Sequence, residues 1–140
     1  MNKMAIWITT FVLSLLFTQS SNALSTVDLS HYQAPKNLEN IHVERLSSGK
    51  TASEFIIFIR KEVKAHYHKE HTELVYVLEG EAIFWLGETK QAIKAGDFIR
   101  IDESVVHAVK VTSAVPLKVL SIQTPEFTGK DRILVDDKLL

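Results

Sequence analysis

The chain is 140 residues long, with 16 basic and 17 acidic side chains for a net charge of −1, and 46% of its residues are hydrophobic. That balance, with no block of like charge, argues against nucleic acid or an anionic membrane surface as a partner. Cysteine is absent, which excludes disulfide staples and a lipid-modified cysteine anchor, so stability must come from apolar burial and bound ligands.

The opening "MNKMAIWITTFVLSLLFTQSSNALS" carries one charge, Lys3, then an apolar run from Met4 to Phe17. That run is short of the roughly 20 residues a spanning helix needs. Ser21 and Ala23 before Leu24 satisfy the small-x-small rule, which predicts a secretory signal peptide over residues 1–23 and export to the periplasm or beyond. Removing Lys3 leaves 15 basic against 17 acidic residues in the mature chain. Residues 24–40 are polar, contain Pro35 and show no period, so they read as an extended arm.

From residue 41 the chain becomes a succession of short apolar runs broken by turn residues, the pattern of an all-β domain. "IHVERL" (41–46) comes first, closed by the turn "SSGK". "SEFIIFIR" (53–60) is apolar on both faces, as a strand covered on two sides must be. "TELVYVL" (72–78) turns at Glu79-Gly80 into "EAIFWLG" (81–87), and "TKQAIKA" (89–95) ends at Gly96. "DFIRI" (97–101) leads through the polar corner Asp102-Glu103-Ser104 to "VVHAVKV" (105–111), and "LKVLSIQ" (117–123) is the last run. About eight short antiparallel strands favour a two-sheet jelly-roll barrel, which hides sheet edges. The expected organisation is one barrel domain over 41–125 with a tail over 126–140. Terminal segments of this kind could pair with a second subunit in a homodimer.

The chemistry concentrates in "AHYHKEHTELVYVLEG" (65–80). Side chains two apart on a strand share a face, so His66 and His68 point one way and Tyr67 the other. Glu73 shares its face with Val75 and Val77, and His107 shares its own with Val109 and Val111. Each is an ionisable group on an apolar face, where burial is costly unless the group is paired or binds a metal. Three imidazoles and a carboxylate converging inside a small barrel meet that cost by holding one divalent cation. Other chemistries lack their motifs: there is no HExxH, no cysteine pair for a zinc deaminase and no phosphate-binding glycine loop. His71 and Glu70 read as a solvated connection, His31 and His42 as surface residues, and Tyr76, Phe84 and Trp85 as core aromatics.

The spacing His66-x-His68, four residues, Glu73, six residues, Gly80 resembles the first motif of the cupin superfamily. Gly96 to His107 resembles the second, and the fifteen residues between Gly80 and Gly96 are similar to the spacing in small bacterial, RmlC-like cupins. The resemblance covers residues 41–123. It implies a jelly roll in which His66, His68, Glu73 and His107 bind one divalent transition metal (iron, manganese, nickel or zinc). The sequence departs from the family pattern at Arg60, Asp102, Ser104 and Val111, and because Asp and Ser are turn formers the corner before His107 is expected to survive.

Four protein ligands on a six-coordinate ion leave two adjacent positions, which suit a bidentate small-molecule substrate. The expected activity is therefore a metal-dependent enzyme, a quercetinase-like dioxygenase above isomerases, lyases and decarboxylases, with Glu73 as the catalytic carboxylate. The alternative is a non-catalytic module that binds a small ligand or the metal.

Overall fold

Alternating strands leave one apolar face each, and two sheets built from them are stable only when those faces meet. In the computed structural model, which describes residues 26–136, they meet as two five-stranded antiparallel sheets, the expected jelly roll. The segment read as a signal peptide, 1–23, lies outside the described residues, as do residues 137–140 of the tail. A single 3-10 turn, Leu29–His31, precedes strands β1 (Ile41–Gly49), β2 (Ala52–Ile59), β3 (Glu62–Tyr67), β4 (Thr72–Glu79) and β5 (Glu81–Leu86). They are followed by β6 (Thr89–Lys94), β7 (Phe98–Ile101), β8 (His107–Val111), β9 (Leu117–Thr124) and β10 (Ile133–Leu134). One sheet has the order β1-β2-β9-β4-β7 and the other β10-β3-β8-β5-β6. No helix among the described residues is long and apolar enough to cross a membrane.

Two strands were not foreseen, and a third is longer than expected. β1 continues through Ser47–Gly49, where the sequence suggested a turn, with an irregularity between Arg45 and Ser47. β3 is polar along most of its length and carries a bulge. β10 lies in the tail, which folds back to pair Leu134 with His66 and Ile133 with Tyr67 of β3. The tail therefore adds a strand to its own subunit's sheet.

Between the sheets, Ile59, Val75, Val77, Phe84, Ile93, Ile99, Ile101, Val109, Leu117 and Val119 form the main core. Each such side chain contributes about 1.5–3 kcal/mol on full burial. β2 is apolar on both faces because a second cluster lies outside it: Ile56 and Phe58 are covered by Leu38 of the arm, with Leu29 and Tyr32 packed alongside. Lys118 fixes the arm there. Its buried ammonium donates to the carbonyls of Leu29 and Tyr32, both at 2.7 Å, and sits 5.6 Å over the Phe58 ring. The arm thus caps its own sheet.

Gly80, at the β4–β5 turn, combines φ +85° with close approach. A Cβ there would lie 2.9 Å from the Leu117 Cα and from the Pro116 carbonyl oxygen.

Candidate metal centre

The site lies at one end of the barrel, where both sheets contribute. Val63 faces the cavity, so simple alternation along β3 would turn Ala65 inward and His66 out. A bulge between Val63 and His66 changes that count: Val63 pairs with Val109, yet His66 pairs with His107. The extra residue re-aims His66 into the barrel, a common use of bulges near functional sites. His68 follows just beyond the strand and Glu73 enters from β4 in the opposite sheet. His66, His68, Glu73 and His107 are all buried, at 6%, 3%, 7% and 4% exposure.

Hydrogen bonds set the tautomer of each histidine. His66 Nδ1 lies 2.9 Å from the Lys64 carbonyl oxygen, His107 Nδ1 lies 3.0 Å from that of Val105, and His68 Nδ1 contacts that of Asp131. A carbonyl oxygen can only accept, so all three Nδ1 atoms carry the proton. Every Nε2 of a neutral ring then presents a lone pair. The three rings converge, with ligand nitrogens within 4.8 Å of one another. Glu73 Oε2 lies 3.5 Å from His68 Nε2 and 3.4 Å from His107 Nε2, while Oε1 accepts from Ser121 Oγ at 2.5 Å. His107 Nε2 is buried without a hydrogen-bond partner.

Lone pairs and a carboxylate facing one another need a cation between them. A divalent metal fits this donor set, and a carbonyl behind each Nδ1 is the usual support for a ligating imidazole. Without a metal, a proton substitutes. Burial alone would depress the His68 imidazole, but the Glu73 carboxylate beside it outweighs that and raises it above its ordinary value. Burial would likewise raise the Glu73 carboxyl, yet the surrounding histidines and Ser121 hold it well below the usual carboxylate range. His66 is pushed down to about 3, chiefly by burial and then by the neighbouring His107, so it stays neutral and ready to ligate.

The corner before His107 survives its departures from the family pattern. Ser104 takes φ 63°, the left-handed region a glycine would occupy without strain, and its N–H donates to the His68 carbonyl at 2.6 Å. The corner is thereby tied to His68.

Several side chains around the site differ from the sequence reading. His71 is buried: its Nδ1 lies 2.5 Å from Asp131 Oδ2 and its Nε2 lies 3.0 Å from the Glu126 carbonyl oxygen. Asp131 also accepts from the backbone N–H groups of Lys69 and Glu70, at 2.9 and 2.8 Å, which helps hold its carboxyl below the ordinary value against the effect of burial. The Phe127 ring packs edge-on against His68 and His71, with centroids 5.8 and 5.4 Å away. The tail segment 126–132 therefore closes the site's mouth, a role its mixed charge does not announce. Of the three aromatics read as core, Phe84 lines the cavity and stacks on His107. Trp85 is half-buried under Lys90, and Tyr76 is exposed. His31 and His42 are surface residues paired with Asp28 and Glu44.

Behind the histidines is a cavity of about 190 Å³, walled mainly by Val63, Val75, Phe84, Val109, Val119 and Phe127.

The cupin-domain family profile matches residues 58–123, the segment that carries all four site residues. The chain belongs to the cupin superfamily. This cupin is 33% identical over 100 residues to an uncharacterized protein of Aquifex aeolicus (strain VF5), covering 71% of this chain and 82% of that one. Over 48 residues it is 35% identical to quercetin 2,3-dioxygenase of Bacillus subtilis (strain 168), covering 34% of this chain and 14% of that enzyme. In three dimensions it is similar to a conserved protein with a double-stranded β-helix domain from Klebsiella pneumoniae. There the TM-score is 0.68 at 19% identity, over 79% of this chain and 96% of that one.

Proposed function

We propose that this cupin is a metal-dependent oxygenase of the quercetinase-like kind, acting on a small organic molecule. The observation that carries the reading is the convergence of three Nδ1-protonated histidines, with the Glu73 carboxylate within 3.5 Å of His68 Nε2 and His107 Nε2 and no hydrogen-bond partner for His107 Nε2. The local likeness to quercetin 2,3-dioxygenase supports the reaction class. His66, His68 and His107 would hold iron, manganese, nickel or zinc, with Glu73 as a fourth ligand through Oε2. When bound, such an ion supplies Lewis acidity and, if redox-active, access to dioxygen chemistry.

The remaining work falls to side chains. Ser121 holds Oε1 of Glu73, so Oε2 is the oxygen that would either complete the ligand set or, unligated, take a proton from the substrate. Phe84, Phe127 and the valines give the cavity an apolar wall. At about 190 Å³ the cavity lies below the roughly 300 Å³ at which sites for drug-sized ligands begin, so the substrate is small. Export and homodimer formation belong to the same proposal. Tyr76 and Phe98, paired across β4 and β7 and both exposed, are the surface a second copy would cover.

The test is oxygen uptake by protein loaded with iron, manganese or nickel, challenged with small enols, catechols and hydroxy acids. Substrate-dependent uptake that is lost in His107→Ala is expected. Turnover of any of these compounds without dioxygen consumption would contradict the oxygenase reading.

A further inference from the structure

Two polar groups on the cavity wall have no task in the metal centre. Gln123 is the inward residue of β9 beyond Ser121, and it stands in register with Glu73 of β4. It is 6% exposed, and its Oε1 is buried without a hydrogen-bond partner. Such a group costs about 1–3 kcal/mol unless something satisfies it. Arg132 lies one residue beyond the Asp131 that clasps His71, on the tail segment that closes the mouth. Its outer side is exposed, yet its side chain lines the same cavity, near enough for its charge to act on His66 and to be acted on by Glu73. Among the described residues it makes no ion pair, whereas Arg100, the other arginine near this corner, is paired with Asp102.

The rest of the wall is almost wholly apolar, and Glu73 and the three histidines belong to the candidate metal centre. A guanidinium with free donors at the rim and a carboxamide with a free acceptor deeper in define what can lie between them. A planar donor fork suits a carboxylate. A buried amide oxygen suits a ligand O–H, and the same group can offer N–H by turning over. The cavity's volume of about 190 Å³ limits the ligand to a small molecule.

We propose that Gln123 and Arg132 are the specificity-determining residues of this cavity and select a small hydroxy-substituted carboxylic acid. Arg132 anchors the carboxylate and Gln123 accepts the hydroxyl proton, while the carbon skeleton lies along Val63, Val75 and Phe127. This assignment rests on the metal-site reading and narrows its substrate class.

The test is a chemical-shift titration of isotope-labelled, zinc-loaded protein with 3-hydroxybutyrate, its uncharged amide 3-hydroxybutanamide, and butyrate. Zinc content is measured on every sample. Arg132→Gln is expected to weaken 3-hydroxybutyrate at least tenfold and to leave the amide within twofold. Gln123→Leu, which keeps the side-chain volume, is expected to abolish the preference for 3-hydroxybutyrate over butyrate. Both variants should keep one zinc, with the wild-type melting temperature for Arg132→Gln and one at or above it for Gln123→Leu, which removes the unsatisfied acceptor.

Equal zinc content with acid affinity unchanged in Arg132→Gln, or with the hydroxyl preference unchanged in Gln123→Leu, overturns this assignment alone. Wild-type protein that takes up neither zinc nor iron, manganese or nickel overturns the metal reading and this assignment with it.

Discussion

Replacing Ser121 by alanine removes the hydroxyl that holds Glu73. Ser121 is fully buried, and its Oγ lies 2.5 Å from Oε1 of a carboxylate that is itself 7% exposed, so solvent cannot replace the bond. A hydrogen bond to a charged group contributes about 1.5–3 kcal/mol, against about 0.5–1.5 kcal/mol for a neutral one. Ser121→Ala in metal-free protein should therefore cost about 2 kcal/mol. In a Glu73→Gln background, where the acceptor is neutral, the same change should cost about 1 kcal/mol. Urea denaturation of the four proteins at pH 7.5 gives the coupling directly, and about 1 kcal/mol is expected between two residues in contact. Additive losses, within about 0.3 kcal/mol, would mean that Glu73 is not an ionised carboxylate held by Ser121, and the charge assignment of the site would fail.

Two further outcomes follow from the fold and the charges. Gly80→Ala should cost about 1–3 kcal/mol more than Gly96→Ala in the same denaturation assay. Both glycines have positive φ, but an added Cβ meets backbone within 3 Å at position 80 and nothing within 4 Å at position 96. Metal-free protein should be most stable near pH 6.5, as read from melting temperatures between pH 8 and 4. His68 is raised in the fold, so its contribution is present below its unfolded value near 6.5 and is lost as pH climbs through the higher folded value. His66 is depressed to about 3, so the unfolded chain takes up its proton first and stability falls from about pH 6.5 downward. Glu73 and Asp131, both depressed, add to that loss below about pH 4. His66→Asn should flatten the acid limb between pH 6.5 and 4, and a melting temperature that rises steadily below pH 6 would contradict the assignment.

The all-β class and the inward direction of Glu73 and His107 were legible because strict alternation holds along β4 and β8, so a polar residue among valines marks itself. The same signal was available at Ser121 and Gln123, which continue the inward series Leu117 and Val119, and it went unread. β3 was not legible as a strand, since its bulge sets Ala65 and His66 inward in succession and breaks the period. His66 and His68 share a face by simple alternation, and the bulge ahead of them is what turns that face inward. Asp131, Phe127 and Arg132 could not be placed from sequence: they reach the site by folding the tail across the barrel mouth, a long-range contact with no local pattern. His71 looked solvated for the same reason, as its partners Asp131 and the Glu126 carbonyl are more than fifty positions away.

Metal content tests the central claim most directly. Protein prepared without chelators or affinity metals should carry one equivalent of a first-row divalent metal by mass spectrometry, and the His66→Ala/His68→Ala double variant should carry none while remaining folded. A wild-type protein that holds no metal, and whose melting temperature ignores added iron, manganese, nickel and zinc, would contradict the account. The converging histidines would then serve only to bury a shared proton.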